Sequence, residues 1–226
     1  PCEVVWLNSA SVQYVFDRGL WQRERLSKVA QGSGIAFPLP PCMSVEMKTK
    51  WRKAPRADPH RYVLGFDGSD TRELIAFHMM IHARPNWVWA TFIHEDKKNK
   101  VIDAGESFAD SFGLSDNEPS ERLRHLLAQN HVGVFLHYRL IGTQIDFQDP
   151  PVLGNPLIEN AGDIKAKRIS CISCHSYAVI DSKGGRPSLR TGVGKPEIPN
   201  TYRSLNFNFT LAVNSICKFN NNDCNQ

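Results

Sequence analysis

The residues best able to do chemistry lie in the stretch Ser170-Cys171-Ile172-Ser173-Cys174-His175, which contains the pattern Cys-x-x-Cys-His. Two thiols separated by two residues can each form a thioether bond to one edge of a porphyrin, and the histidine that follows is then placed to bind the iron. The pattern therefore predicts one covalently attached haem c, bound through Cys171 and Cys174. His175 is predicted to be the proximal ligand of the iron.

Other kinds of site also use paired cysteines: a redox dithiol, a zinc site and a structural pair. A redox motif of the thioredoxin type is expected after a strand of a βαβ unit, and no such pattern surrounds Cys171. A zinc site usually needs a second pair of ligands, and the pairs His78/His82 and His131/His137 lie well upstream. Haem attachment is therefore preferred, with these sites as the alternatives.

The sequence leaves the sixth coordination position of the iron open. Methionine would raise the reduction potential, a second histidine would lower it, and an open position would permit ligand binding. His94 is the first choice as a distal ligand or distal-pocket residue because it ends the aromatic block 87–92. His78 is the second choice, followed by Met79 and Met80. The remaining five histidines are assigned to the surface or to structural roles.

Two tryptophans precede His94 in this block. Trp87 and Trp89 are predicted to stack on the haem, and burial in the hydrophobic core is the equally weighted alternative, since large aromatic side chains dominate cores. Asp146 and Glu159 are assigned to loop capping. A hydrogen bond to a histidine, or a place near a haem propionate, is the second option for both carboxylates.

The elements that must position these residues are short. Aromatic and β-branched residues predict strands over 61–66, 73–82 and 87–94, the last two forming an antiparallel hairpin. Helices are predicted over 23–31 and 117–129. Less regular patterns indicate short strands within 1–22, strands over 42–47 and 132–140, a loop over 51–60, a helix opening within 171–179 and a final helix over 205–216. The predicted fold is α+β: a single irregular, loop-rich domain with a small antiparallel sheet and short helices around one covalently bound haem.

Length, hydrophobic content and net charge limit the classes of protein that fit this sequence. The 226 residues are 41% hydrophobic, which is enough for one domain, and no apolar run reaches the roughly 18 residues of a transmembrane helix. The net charge is only +4, with lysine and arginine spread along the chain, so nucleic acid is not an expected partner. The basic run 165–168 precedes the motif. It predicts either a rim that steers an acidic redox protein or a solvated loop.

The number of cysteines helps to predict the cellular compartment of the protein. Cys2, Cys42, Cys217 and Cys224 remain once two thiols hold haem, and an even remainder fits an oxidising compartment. Because bacteria attach haem c in the periplasm, a periplasmic or secreted protein is predicted, with a signal peptide already removed from this numbering. Cys217 and Cys224 could close a short C-terminal loop, and by elimination Cys2 could pair with Cys42. Free thiols are the alternative.

Four blocks occur in a fixed order: Trp87-Val-Trp-Ala-Thr-Phe-Ile-His94, Gly142-Thr-Gln-Ile-Asp-Phe147, Leu153-Gly-Asn-Pro-Leu-Ile-Glu159 and the haem motif. With a closing element at 202–207, they resemble a family of secreted bacterial cytochrome c-like proteins, mostly without assigned activity. The resemblance implies haem c and the cell envelope, and it names no substrate.

The resemblance covers about residues 60–215. It implies a family core over that range, within one cytochrome c-like domain that spans 1–226. Residues 1–59 are then a possible N-terminal extension and residues 216–226 a C-terminal loop. Ile93 stands where the family usually has Glu, so a proton-transfer role of that Glu is not carried over to this chain.

Three functions are compatible with these predictions. The leading one is periplasmic electron transfer by a monohaem c-type cytochrome, which makes the protein a carrier rather than an enzyme. The second is a haem enzyme with an open distal site that acts on a small oxidant. The third is a haem-bearing subunit of a larger respiratory or filamentous complex. The sequence does not specify the oligomeric state, and it contains no nucleotide-binding glycine motif or serine-hydrolase elbow.

Overall fold

The computed structural model describes residues 2–31, 40–97, 119–148, 151–159, 169–187 and 192–206. Within these ranges the main sheet has six strands: β1 (Cys2–Leu7), β2 (Val45–Lys53), β3 (Leu64–Asp67), β4 (Asp70–Ile81), β5 (Val88–His94) and β6 (Tyr138–Gln144). The α-helices are α1 (Ser9–Asp17), α2 (Arg23–Gln31), α3 (Glu121–Gln129) and α4 (Cys171–His175). A second sheet pairs β7 (Val179–Asp181) with β8 (Tyr202–Ser204).

The strands of the main sheet run in the order β1-β2-β4-β5-β6, with β3 beside β4, and the neighbours pair antiparallel. The predicted mixture of antiparallel strands and short helices in one domain is confirmed. The segment 1–59, which the resemblance set apart, contributes β1 and β2 to this sheet.

The two faces of the sheet have different roles. Directly paired residues share a face, and side chains alternate between faces along each strand. The register pairs His78 with Thr91, Met80 with Trp89, and Trp89 with Gln144, so these five residues lie on one face, which we call the motif face. The opposite face holds an aromatic cluster that includes Trp51, Leu74, Phe77, Tyr138 and Phe92.

A third hydrophobic cluster packs the two N-terminal helices against the segment that follows α4. Tyr14 and Val15 of α1 and Leu26 of α2 are buried against Ala178 and Ile180, which follow the Cys-x-x-Cys-His motif. The helices near the N-terminus therefore brace the segment that leaves α4.

Several predicted elements are confirmed. Helix α2 spans 23–31, strands β4 and β5 form the predicted antiparallel hairpin, and α4 opens at Cys171. Helix α3 begins later than predicted, at Glu121, because Ser120 is its N-cap and accepts a hydrogen bond from the amide of Leu123.

Other predicted elements need correction. Residues 9–17 form a helix rather than a strand, since Asn8 caps the N-terminus by accepting from the Ser11 amide. Strand β2 continues to Lys53, through part of the predicted loop. Residues 133–137 form a 3₁₀ helix, so β6 begins only at Tyr138. Most of the predicted final helix lies outside the described residues.

Candidate haem-attachment site

The motif begins a short helix on the motif face of the sheet. Ser170 is the N-cap of α4, and its hydroxyl accepts a hydrogen bond from the Ser173 amide at 3.3 Å. Helical spacing places Cys171, Cys174 and His175 on one side of this turn. Cys171 is buried, whereas Cys174 and His175 are half-buried, so the predicted thioether and iron ligands lie together at the edge of the core.

Gln144 anchors this helix to the sheet. It ends β6, is fully buried, and donates from Nε2 to the Ser170 hydroxyl at 2.9 Å. Its Oε1 accepts from the Ile172 amide at 3.1 Å. One side chain thus satisfies a free amide in the first turn of α4 and fixes the N-cap residue, so the sheet sets the position of the motif.

The loop before the motif is attached to β5 by Asn155. This fully buried side chain donates from Nδ2 to the Thr91 hydroxyl and to the Phe92 carbonyl, both at 3.0 Å. Its backbone amide donates to Oε2 of Glu159 at 2.6 Å. The result is that Glu159 is held against the motif face, next to His78.

An apolar cluster surrounds the first thiol. It consists of Met80, Trp87, Trp89, Leu153, Cys171 and Ile172. Trp89 also contacts His175, with 4.6 Å between the ring centroids, and its indole donates to the Asn86 carbonyl. Both tryptophans therefore pack around the motif. Their stacking on a haem stays a prediction.

His78 faces Glu159 on the motif face. The distance from Nδ1 to Oε1 is 3.4 Å, and Nδ1, which is inaccessible to solvent, makes no hydrogen bond with the described residues. Burial, together with the nearby His175, lowers the pKa of His78 to about 3. Burial raises the pKa of Glu159 to about 7. Between these values both groups are neutral, so the contact is not an ion pair.

His94 lies on the opposite face of the sheet and is fully buried. Its Nε2 donates to the Arg61 carbonyl at 3.0 Å, its Nδ1 accepts from the Asp96 amide at 3.2 Å, and its ring stacks on Tyr62 at 3.7 Å. Because both nitrogens have protein partners and the sheet separates them from His175, we reassign His94 from a distal ligand to a structural residue. Met79 also lies on this opposite face, by alternation with His78.

Charged groups extend the motif face towards the sheet edge. Lys48 pairs across the strands with His78, and Glu3 forms ion pairs with Lys48 at 2.8 Å and Lys50 at 2.7 Å.

Burial raises the pKa of the Cys174 thiol to about 11 and also raises that of Cys171, so both thiols are protonated at neutral pH.

An open cleft of about 550 Å³ adjoins the end of α4. Its volume is within the range of roughly 300–1,000 Å³ typical of small-molecule pockets. Ser176 and Phe147 line it on the motif side, and Phe147 also packs against the apolar cluster. The far wall comes from the segment 195–204.

The residues fit a covalently bound haem. Cys171 and Cys174 are free rather than joined in a disulfide, and His175 follows them in the same turn. His78 offers an imidazole on the motif face whose Nδ1 has no hydrogen-bond partner among the described residues, which is unusual for a largely buried polar group. Within the described ranges, no three His, Cys, Asp or Glu side chains are grouped to hold a metal ion.

The remaining cysteines need one correction. Cys2 and Cys42 are free thiols rather than a pair. Cys2 opposes Trp51 at one end of the β1–β2 ladder, whereas Cys42 precedes β2 near the other end, so the two are too far apart for a disulfide. Cys217, Cys224 and the basic run 165–168 lie outside the described residues.

The residues that position the motif were not singled out from the sequence. Gln144, Asn155 and Ser170 are fully buried polar side chains. They come from three of the ordered blocks, and their place in those blocks was the signal in the sequence that could have identified them.

No protein-family model, curated protein or solved structure matches the chain. Among the helices of the described ranges, none is long and apolar enough to cross a membrane.

Proposed function

We propose that this chain is a monohaem c-type cytochrome that transfers electrons. The haem is attached through Cys171 and Cys174, with His175 as the proximal ligand. The observation that carries the proposal is the placement of these three side chains in one helical turn beside an apolar cluster, with both thiols free. Membership of the secreted cytochrome c-like family is part of the same proposal.

A bound haem c supplies reversible one-electron chemistry at its iron. The chain holds and surrounds the group: Trp89 packs on the ring of His175, and Gln144 fixes the start of the helix that carries the ligands. Met80 and Leu153 keep water away from the Cys171 side of the site. A preorganised site of this kind suits electron transfer, because little has to rearrange when the charge changes.

We propose that His78 would be the second side chain to bind the iron. It lies on the motif face, and its Nδ1 has no hydrogen bond with the described residues. Met80 shares that face but is 2% exposed and packed among tryptophans, so it is the weaker choice. Two axial histidines predict a low-spin iron with a comparatively low reduction potential.

A haem enzyme is the second candidate, and the contact between His78 and Glu159 favours it. An imidazole beside a carboxyl group can move protons at an open distal site during reaction with a small oxidant. In that case His78 would not bind the iron.

We also propose a periplasmic or secreted location and a redox protein as the partner. The support for the location is the attachment chemistry, which bacteria carry out in the periplasm. We propose that this redox partner is acidic, because the run 165–168 is basic.

The optical spectrum of the purified protein, oxidised and reduced, tests the proposal. We expect a low-spin haem c spectrum and no binding of carbon monoxide to the reduced protein without denaturation. Carbon monoxide binding to the native reduced protein would favour the enzyme, and a protein without haem absorbance would refute both functions.

A further inference from the structure

The contact between His78 and Glu159 has a geometry that a simple packing role does not require. The side chains are 17% and 16% exposed, and Nδ1 of His78, itself inaccessible to solvent, lies 3.4 Å from Oε1 of Glu159. That distance is slightly long for a hydrogen bond, which needs about 2.7–3.2 Å. A small rotation of either side chain would close it.

Glu159 is fixed independently of His78. Its Oε2 accepts the Asn155 amide at 2.6 Å, and Asn155 is held in turn by Thr91 and by the Phe92 carbonyl on β5. Because one carboxyl oxygen is occupied, the other is left for the imidazole. The sheet therefore positions both partners: β4 carries His78, and β5 holds the loop that carries Glu159.

We propose that Glu159 is a positioning residue for His78: its Oε1 accepts a hydrogen bond from Nδ1 and so leaves the Nε2 lone pair for the haem iron. This inference rests on the proposed function. Histidine ligands commonly donate their second ring N–H to a carboxylate, which fixes the tautomer and makes the ligand more basic.

In this arrangement the two ring nitrogens of His78 have different roles: Nδ1 donates to Glu159, and Nε2 is left for the iron. Loss of the carboxyl acceptor frees the ring to rotate or to carry its proton on Nε2, and a protonated Nε2 cannot bind iron. In Glu159→Gln one amide oxygen replaces two carboxyl oxygens. When that oxygen faces Nδ1, the tautomer is kept and the ligand becomes less electron-rich, while the Asn155 amide loses its acceptor.

The test uses the haem-loaded full chain with Glu159→Ala, Glu159→Gln and His78→Ala, and Glu3→Gln as the control. Glu3 is a carboxylate on the same face whose ion pairs are with Lys48 and Lys50, and it acts on His78 only through a weaker electrostatic interaction without direct contact. We expect part of the iron in Glu159→Ala, and all of it in His78→Ala, to become high-spin and to bind carbon monoxide. Glu159→Gln should stay low-spin with a raised midpoint potential, and Glu3→Gln should keep the wild-type spectrum.

Each result counts for or against the inference. Wild-type protein without haem would refute the proposed function and the inference with it. Haem-loaded protein in which Glu159→Ala keeps a fully low-spin spectrum would overturn the inference alone. A fully low-spin His78→Ala would overturn the inference and also the assignment of His78 as an iron ligand. If Glu159→Ala fails to fold, the midpoint potential of Glu159→Gln decides: an unchanged value overturns the inference, and a raised value supports it.

Discussion

Replacing His94 with alanine should destabilise the fold strongly and leave the iron unchanged. The side chain is fully buried, with 0% exposure, and it supports two hydrogen bonds and a stacked Tyr62 ring at 3.7 Å. A net hydrogen bond contributes about 1 kcal/mol, an aromatic contact about 0.5–1.5 kcal/mol, and an unpaired buried group costs about 1–3 kcal/mol. With the cavity left by the ring, the expected loss is about 3–5 kcal/mol.

The assay is urea denaturation of the haem-loaded protein, followed by far-ultraviolet circular dichroism, with the visible spectrum recorded on the same samples. His60→Ala is the matched control, because His60 is exposed and should change stability by less than about 0.5 kcal/mol. A loss below about 1 kcal/mol in His94→Ala would refute the structural role argued from its hydrogen bonds. A change in the spin state of the iron in His94→Ala would indicate instead that His94 binds the iron.

Three further outcomes are expected. Gln144→Ala should cost about 2–4 kcal/mol in the same denaturation assay, because it leaves buried polar groups unpaired, whereas exposed Gln148→Ala should cost almost nothing. Burial lowers the pKa of His94, so the unfolded chain binds more protons and stability should fall as pH drops below 6.5; His94→Gln should flatten this dependence. Peptide mapping without reduction should find no bond between Cys2 and Cys42, and an alkylating reagent should label Cys42 in the native protein.

The hairpin of β4 and β5 was predictable because its residues are strong strand formers on both sides of a turn. The start of α4 was predictable because haem motifs usually open a helix. Helix α1 was missed since its valines and tyrosine favour strands locally, while the Asn8 cap and the burial of Tyr14 and Val15 against distant residues favour the helix.

The choice between His78 and His94 could not be made from sequence. In a strand, a shift of one residue moves a side chain to the other face, so the register had to be known. The pairing of His78 with Thr91 puts it on the motif face, and the position of His94, three residues further along β5, puts it behind the sheet. The buried roles of Gln144 and Asn155 likewise depend on contacts between blocks that are distant in the chain.

The central claim is that one haem is covalently attached at Cys171 and Cys174. The intact mass of the protein, produced with a haem c maturation system and measured after denaturation, tests this most directly. We predict that the wild-type chain carries the added mass of one haem and that the double variant Cys171→Ala, Cys174→Ala carries none. A wild-type chain at the mass of the unmodified polypeptide would contradict the account.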